Sequence, residues 1–107
     1  MSNIETIDLA ALKQGLAHGK ILLVDVREAH EYASGHVAGA LLRPLSRFDA
    51  RDLPPPSNQT IVFICRSGRR SVTALELAQA QGRGDIRVHY LGGMLGWAGA
   101  GEPVACP

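Results

Sequence analysis

The chain contains no apolar run approaching the roughly 18–20 residues that a membrane-spanning helix needs, and this excludes such a span. Internal repeats and low-complexity segments are also missing, which sets aside repeat architectures and disordered tracts. The opening Met1-Ser2-Asn3-Ile4-Glu5 lacks the basic and then apolar pattern of a secretory signal. Cysteine is scarce: Cys65 and Cys106 form neither a disulfide framework nor a metal-ligand spacing. These absences point to a reducing, cytoplasmic setting, with no metal and no organic cofactor implied. The formal net charge is only +1, so no bulk excess of charge recruits nucleic acid or a membrane surface.

What is present suits one globular domain spanning residues 1–107, long enough for a single compact core. Apolar residues make up 46% of the chain and charged ones 20%, a soluble rather than a disordered balance. The tail from about 102 to 107 is expected to be loosely ordered. Charge is unevenly placed, with Arg66, Arg69 and Arg70 close together and Arg43, Arg47 and Arg51 in a second stretch.

Ile4 to Ile7 reads as a short edge strand, and Asp8 as the N-cap of a helix to about His18, with Leu9, Leu12 and Leu16 on one face. Ile21-Leu22-Leu23-Val24 is continuously apolar, as a strand covered on both faces should be, and it runs into Asp25-Val26-Arg27. Glu28 to Ala33 reads as a short helix, Leu41-Leu42 as a brief strand, and Pro54-Pro55-Pro56 as an extended surface connection. Ile61 to Ile64 is the second clear strand. A helix is expected over Val72 to Gln81 with Ser71 as its N-cap, then a strand from Ile86 to Leu91, and a short helix from Met94 to Ala100. Strands alternating with helices imply an α/β domain with a mainly parallel sheet, and ligands of such sheets bind beyond the carboxyl ends of the strands. Cys65, Asp25 and Arg27 all fall at that end.

The stretch Cys65-Arg66-Ser67-Gly68-Arg69-Arg70-Ser71 carries the chemistry. A cysteine ending a strand is usually an inert small hydrophobe. Strand, cysteine, basic glycine-containing loop and helix in succession reverse that reading. A thiol attacks only when ionised; with a free pKa of about 8.5, about a tenth is thiolate at pH 7.5, and a drop of about two units makes it about 90%. That drop corresponds to about 2.7 kcal/mol. One exposed helix end contributes only about 0.3–1 kcal/mol, so loop amides and guanidinium groups must supply the rest. A loop turning several amides inward needs a positive φ, the role expected of Gly68. Arg69 and Arg70 stand where a helix N-terminus disfavours cations, a mismatch that a bound anion resolves.

This loop resembles the active-site loop of the rhodanese-like sulfurtransferases. The resemblance covers nearly the whole chain: Asp25-Val26-Arg27-Glu28 with Glu31-Tyr32 matches one family signature, and Gly35-His36-Val37-Ala38-Gly39-Ala40 with Pro44 another. Leu91-Gly92-Gly93, Trp97, Gly101, Pro103 and Val104 match the last. It implies a three-layer α/β fold, with a mainly parallel sheet of about five strands flanked by helices. It also implies a thiosulfate sulfurtransferase: Cys65 takes the outer sulfur of thiosulfate as a persulfide, and cyanide, a thiol or a protein acceptor removes it. The segment from Arg66 through Ser67, Gly68, Arg69 and Arg70 to Ser71 would bind the substrate, while Asp25 and Arg27 would pair to support the loop. His36 is expected to be a hydrogen-bonded turn residue, His89 to have no role, and Trp97 to pack the last helix on the core.

Two features depart from the family pattern. Leu42 and Arg43 stand before Pro44 where a small polar and then an aliphatic residue are common, which leaves the strand register open and Arg43 a candidate for the mouth of the site. Cys106 lies outside the pattern and reads as incidental, the sharper alternative being that it resolves the persulfide. Other functions remain open at this stage. The same Cys65 chemistry serves a carrier passing sulfur between proteins, and rhodanese-like modules also act by binding alone. Arsenate reductases and related phosphatases share the general fold, but their Cys-x5-Arg loop needs an arginine where Ser71 stands.

Overall fold

The computed structural model describes residues 3–106. Its centre is a five-stranded sheet built from β1 (Glu5–Ile7), β2 (Ile21–Asp25), β3 (Leu41–Leu42), β4 (Thr60–Ile64) and β5 (Val88–Tyr90). The strand order is β1-β5-β4-β2-β3, and every strand pair is parallel. Parallel neighbours need crossovers, and helices supply three of them, α1 (Leu9–Ala17), α2 (Ala29–Ala33) and α3 (Arg69–Ala80), while α4 (Gly93–Gly99) follows the last strand. The α/β three-layer architecture implied by the sequence is therefore the one observed.

Pleating divides β4 between two cores. Ile61, Phe63 and the following Cys65 pack with Ala74, Leu75 and Ala78 of α3 and with Val24, Val26 and Ile86. Val62 and Ile64 face the other side, with Leu12 of α1, Leu23, Tyr90, Met94 and Trp97. The apolar run of β4 reflects that double coverage. Trp97 packs α4 onto this second core, its indole N–H donating to the Pro103 carbonyl at 2.8 Å.

Asp8 caps α1 as expected, accepting from the Ala11 N–H at 2.8 Å. The third helix differs: α3 begins at Arg69, capped by Gly68 in the left-handed region, and Ser71 lies inside its first turn. The long connection from β3 to β4 also holds two 3₁₀ turns, Leu45–Arg47 and Ala50–Asp52. The register left open by Leu42 and Arg43 is Val24 against Leu41 and Asp25 against Leu42. Arg43 turns back to donate to the Leu42 carbonyl at 2.8 Å.

For the tail, expected to be loose, the structure shows definite contacts. Ala105 and His36 exchange backbone hydrogen bonds of 2.8 and 2.9 Å, and Glu102 accepts from Lys13 at 3.0 Å. Pro107 lies outside the described residues. Among the described residues, no helix is long and apolar enough to cross a membrane.

Candidate active site

β4 delivers Cys65 to the carboxyl edge of the sheet, and α3 starts after only three intervening residues. The Gly68 amide turns inward and donates to Cys65 Sγ at 3.1 Å. This requires φ +90° at Gly68, and an added Cβ there would stand 2.5 Å from the Leu91 carbonyl oxygen. The positive φ expected of Gly68 is thus doubly constrained. From the other side, the Met94 and Leu95 amides of α4 donate to the carbonyls of Cys65 and Arg66 at 2.8 and 3.0 Å. Gly93, at φ +62°, allows this approach, because a Cβ would collide with the carbonyls of Arg66 and Cys65.

Cys65 is a free thiol and 1% exposed. Burial pushes its pKa up, but hydrogen bonds from the Ser71 hydroxyl and from the amides of Ser71, Ser67 and Gly68 outweigh it and hold the thiol below its ordinary value. The Ser71 hydroxyl lies 3.6 Å from Sγ, so Ser71 contributes to the cradle from inside the helix rather than as its cap.

The three arginines part company. Arg66 lines an open cleft of about 340 Å³ together with Arg27, Glu31, Met94, Leu95 and Val104. Arg69 is exposed. Arg70, expected to help recruit the donor, forms a bidentate pair with Glu31 at 2.6 and 2.8 Å. That pair holds the Glu31 carboxyl down at about 2, from an ordinary 4.5. The sign follows by linkage: the pair stabilises the fold fully above about pH 4.5 and loses its contribution as pH falls toward 2. Thermal melts of wild type and Glu31→Gln should therefore differ most near pH 6, with wild type more stable, and converge toward pH 2.

Asp25 and Arg27 form the expected ion pair, with Arg27 Nη2 2.8 Å and Nε 3.0 Å from the carboxylate oxygens and both side chains buried. Arg27 Nη2 also donates to the Gly35 carbonyl at 2.8 Å, tying the following turn to the end of β2. In that turn His36 stacks on Tyr32 with ring centroids 3.6 Å apart, its Nδ1 2.8 Å from the Tyr32 carbonyl. Cys106 is exposed, its Sγ 3.7 Å from the carbonyl of Ser34, a residue on the rim of the Arg66 cleft. A second cleft of about 340 Å³ at the opposite end of the strands, beside Glu5, Thr60 and Arg87, is lined by neither cysteine nor histidine.

A family model for the rhodanese-like domain matches residues 8–100. The chain belongs to that family. Among its rhodanese relatives, a protein named sulfurtransferase from Allochromatium vinosum is 35% identical over 97% of both chains. Human thiosulfate:glutathione sulfurtransferase is 30% identical over 91% of this chain and 96% of its own. The protein slr1261 of Synechocystis is 38% identical over 92% of this chain, which spans only about half (54%) of that relative's length. Among solved structures, the human single domain sulfurtransferase TSTD1 superposes with a TM-score of 0.74 at 30% identity, over 88% of this chain and 95% of that one.

One residue of this rhodanese site escaped the sequence reading. His89, expected to have no role, is 1% exposed with Nδ1 2.7 Å from Ser71 Oγ. Val88-His89-Tyr90 alternates apolar and polar residues, a pattern that by itself does not mark His89 as buried. However, β5 lies between β1 and β4 with both faces covered, so its histidine is buried. Only the strand order reveals this.

Proposed function

We propose that this rhodanese-like domain is a thiosulfate sulfurtransferase acting through a persulfide on Cys65. One observation carries the reading: the Cys65 sulfur, at the end of β4, accepts from the Gly68 amide at 3.1 Å and lies 3.6 Å from the Ser71 hydroxyl, and these groups with the Ser67 and Ser71 amides favour its ionised form. Arg66, on the cleft, and exposed Arg69 attract the thiosulfate dianion. The Cys65 thiolate attacks the outer sulfur of thiosulfate; the bond between the two thiosulfate sulfurs breaks and sulfite leaves with its electron pair. In the resulting persulfide the outer sulfur is bonded to Sγ at about 2 Å.

A thiolate or cyanide acceptor then attacks that outer sulfur, and the S–S electron pair returns to Cys65. A thiol acceptor agrees with the name of the human relative, and a protein acceptor would use the same chemistry. The test is intact-mass measurement. Incubation with thiosulfate should add the mass of one sulfur, with sulfite released in equal amount, and cyanide should remove it. A protein that gains no such mass would overturn the thiosulfate reading.

A further inference from the structure

We propose that Ser71 and His89 form a proton relay for Cys65, in which the thiol proton passes to Ser71 Oγ as the Ser71 hydroxyl proton passes to His89 Nδ1. The inference rests on Cys65 being the nucleophile. It leaves a thiolate and a protonated imidazole, moves two protons one hydrogen bond each, and transfers no electrons.

The geometry is a continuous buried line: Cys65 Sγ to Ser71 Oγ 3.6 Å, then Ser71 Oγ to His89 Nδ1 2.7 Å. Each of the three residues is at most 1% exposed. A serine hydroxyl has one proton and can donate to only one of its two neighbours, so protons can pass along this line in two directions. With a thiol, S–H donates to Oγ, and the hydroxyl donates to an unprotonated Nδ1. With a thiolate, the hydroxyl donates to sulfur, and Nδ1–H donates to Oγ. Switching Cys65 from one form to the other therefore reverses both bonds and places a proton on Nδ1. The thiolate direction is also the one that receives Cys65 as leaving group when the acceptor takes the sulfur.

The surroundings favour a histidine waiting as an acceptor. Beside His89 in the sheet, Phe63 of β4 and Thr6 of β1 are not titratable, and α3 faces it with Ser71. The charged residues of these elements are peripheral. Glu5 of β1 and Arg87 just before β5 pair at 3.5 Å, and Arg70 of α3 pairs with Glu31. Arg69 and Glu76 of α3 are exposed, and β4 carries no charged residue. Burial alone holds the His89 pKa below its ordinary value, which favours the neutral ring.

A histidine with only a structural role would serve equally well as a fixed hydrogen-bonding group, which an asparagine at 89 can imitate. The experiment uses iodoacetamide alkylation of Cys65 in a Cys106→Ser background, followed from pH 5 to 9. The relay predicts that His89→Asn and His89→Phe both slow alkylation at pH 6–7 by about tenfold and lose the inflection contributed by the imidazole. A His89→Asn protein with the wild-type profile would overturn the relay.

A second measurement needs no change at position 89. The ¹⁵N signal of His89 Nδ1 is titrated in the Cys106→Ser protein before and after Cys65 is alkylated, and loss of the thiolate should lower the imidazole midpoint by about one pH unit. An unchanged midpoint overturns the relay. Neither readout involves sulfur transfer. A protein that accepts sulfur but shows no linkage loses only the relay, whereas one with the linkage and no sulfur gain loses only the thiosulfate reading.

Discussion

Replacing Cys65 with serine should reduce thiosulfate-dependent sulfur transfer by about 10⁴-fold or more, as expected when a covalent nucleophile is removed. The loop lowers the pKa of a thiol only from its own ordinary range, and no comparable shift makes a serine hydroxyl an alkoxide at neutral pH. A serine oxygen therefore cannot take up the sulfane sulfur. The fold should survive, because a hydroxyl can still accept from the Gly68 amide and stand opposite Ser71. Sulfite release and the mass gain measure the loss, and a melting temperature close to that of wild type shows that the protein still folds. Residual transfer within tenfold of wild type would remove Cys65 from the chemistry. Cys106→Ser should leave Cys65 able to carry the added sulfur.

Asp25→Ala should cost about 3–5 kcal/mol of stability, the effect of stripping one partner from a buried ion pair. Asp25 is completely buried, and its carboxylate accepts from both the backbone and the guanidinium of Arg27. Without it, the buried guanidinium would keep only the Gly35 carbonyl as its hydrogen-bond partner. In a domain of this length the loss corresponds to a drop in melting temperature on the order of 15–25 °C. Asp25→Ala combined with Arg27→Met should recover most of it, since neither charge then remains buried. Denaturant unfolding of the two variants checks this, and a single-variant loss below about 1 kcal/mol would contradict it.

The elements that periodicity governs were legible from the chain. Continuous apolar runs marked β2 and β4, Asp8 marked the start of α1, and Cys65 at a strand end indicated which face of the sheet matters. The start of α3 was misplaced because Ser71 is a better N-cap by residue type than Gly68. What decides it is spatial: the Gly68 amide is drawn to the sulfur, and the left-handed turn this requires starts the helix early. Arg70 was read as free cation because its partner, Glu31, belongs to a different crossover helix. His89 was missed for the same kind of reason, since strand order depends on packing across the whole sheet rather than on neighbours along the chain. The 3₁₀ turns before β4 lack the longer periodicity by which a helix declares itself.

The amides of Met94 and Leu95 that grip the carbonyls of Cys65 and Arg66 come from an element near the end of the chain. During synthesis, β2 and β4 are made well before that grip exists, and β5, which must enter between β1 and β4, is also made late. A chain interrupted before Met94 would hold the cysteine without the clamp that shapes its loop. The loop around the thiol therefore takes its full shape only once α4 has been made.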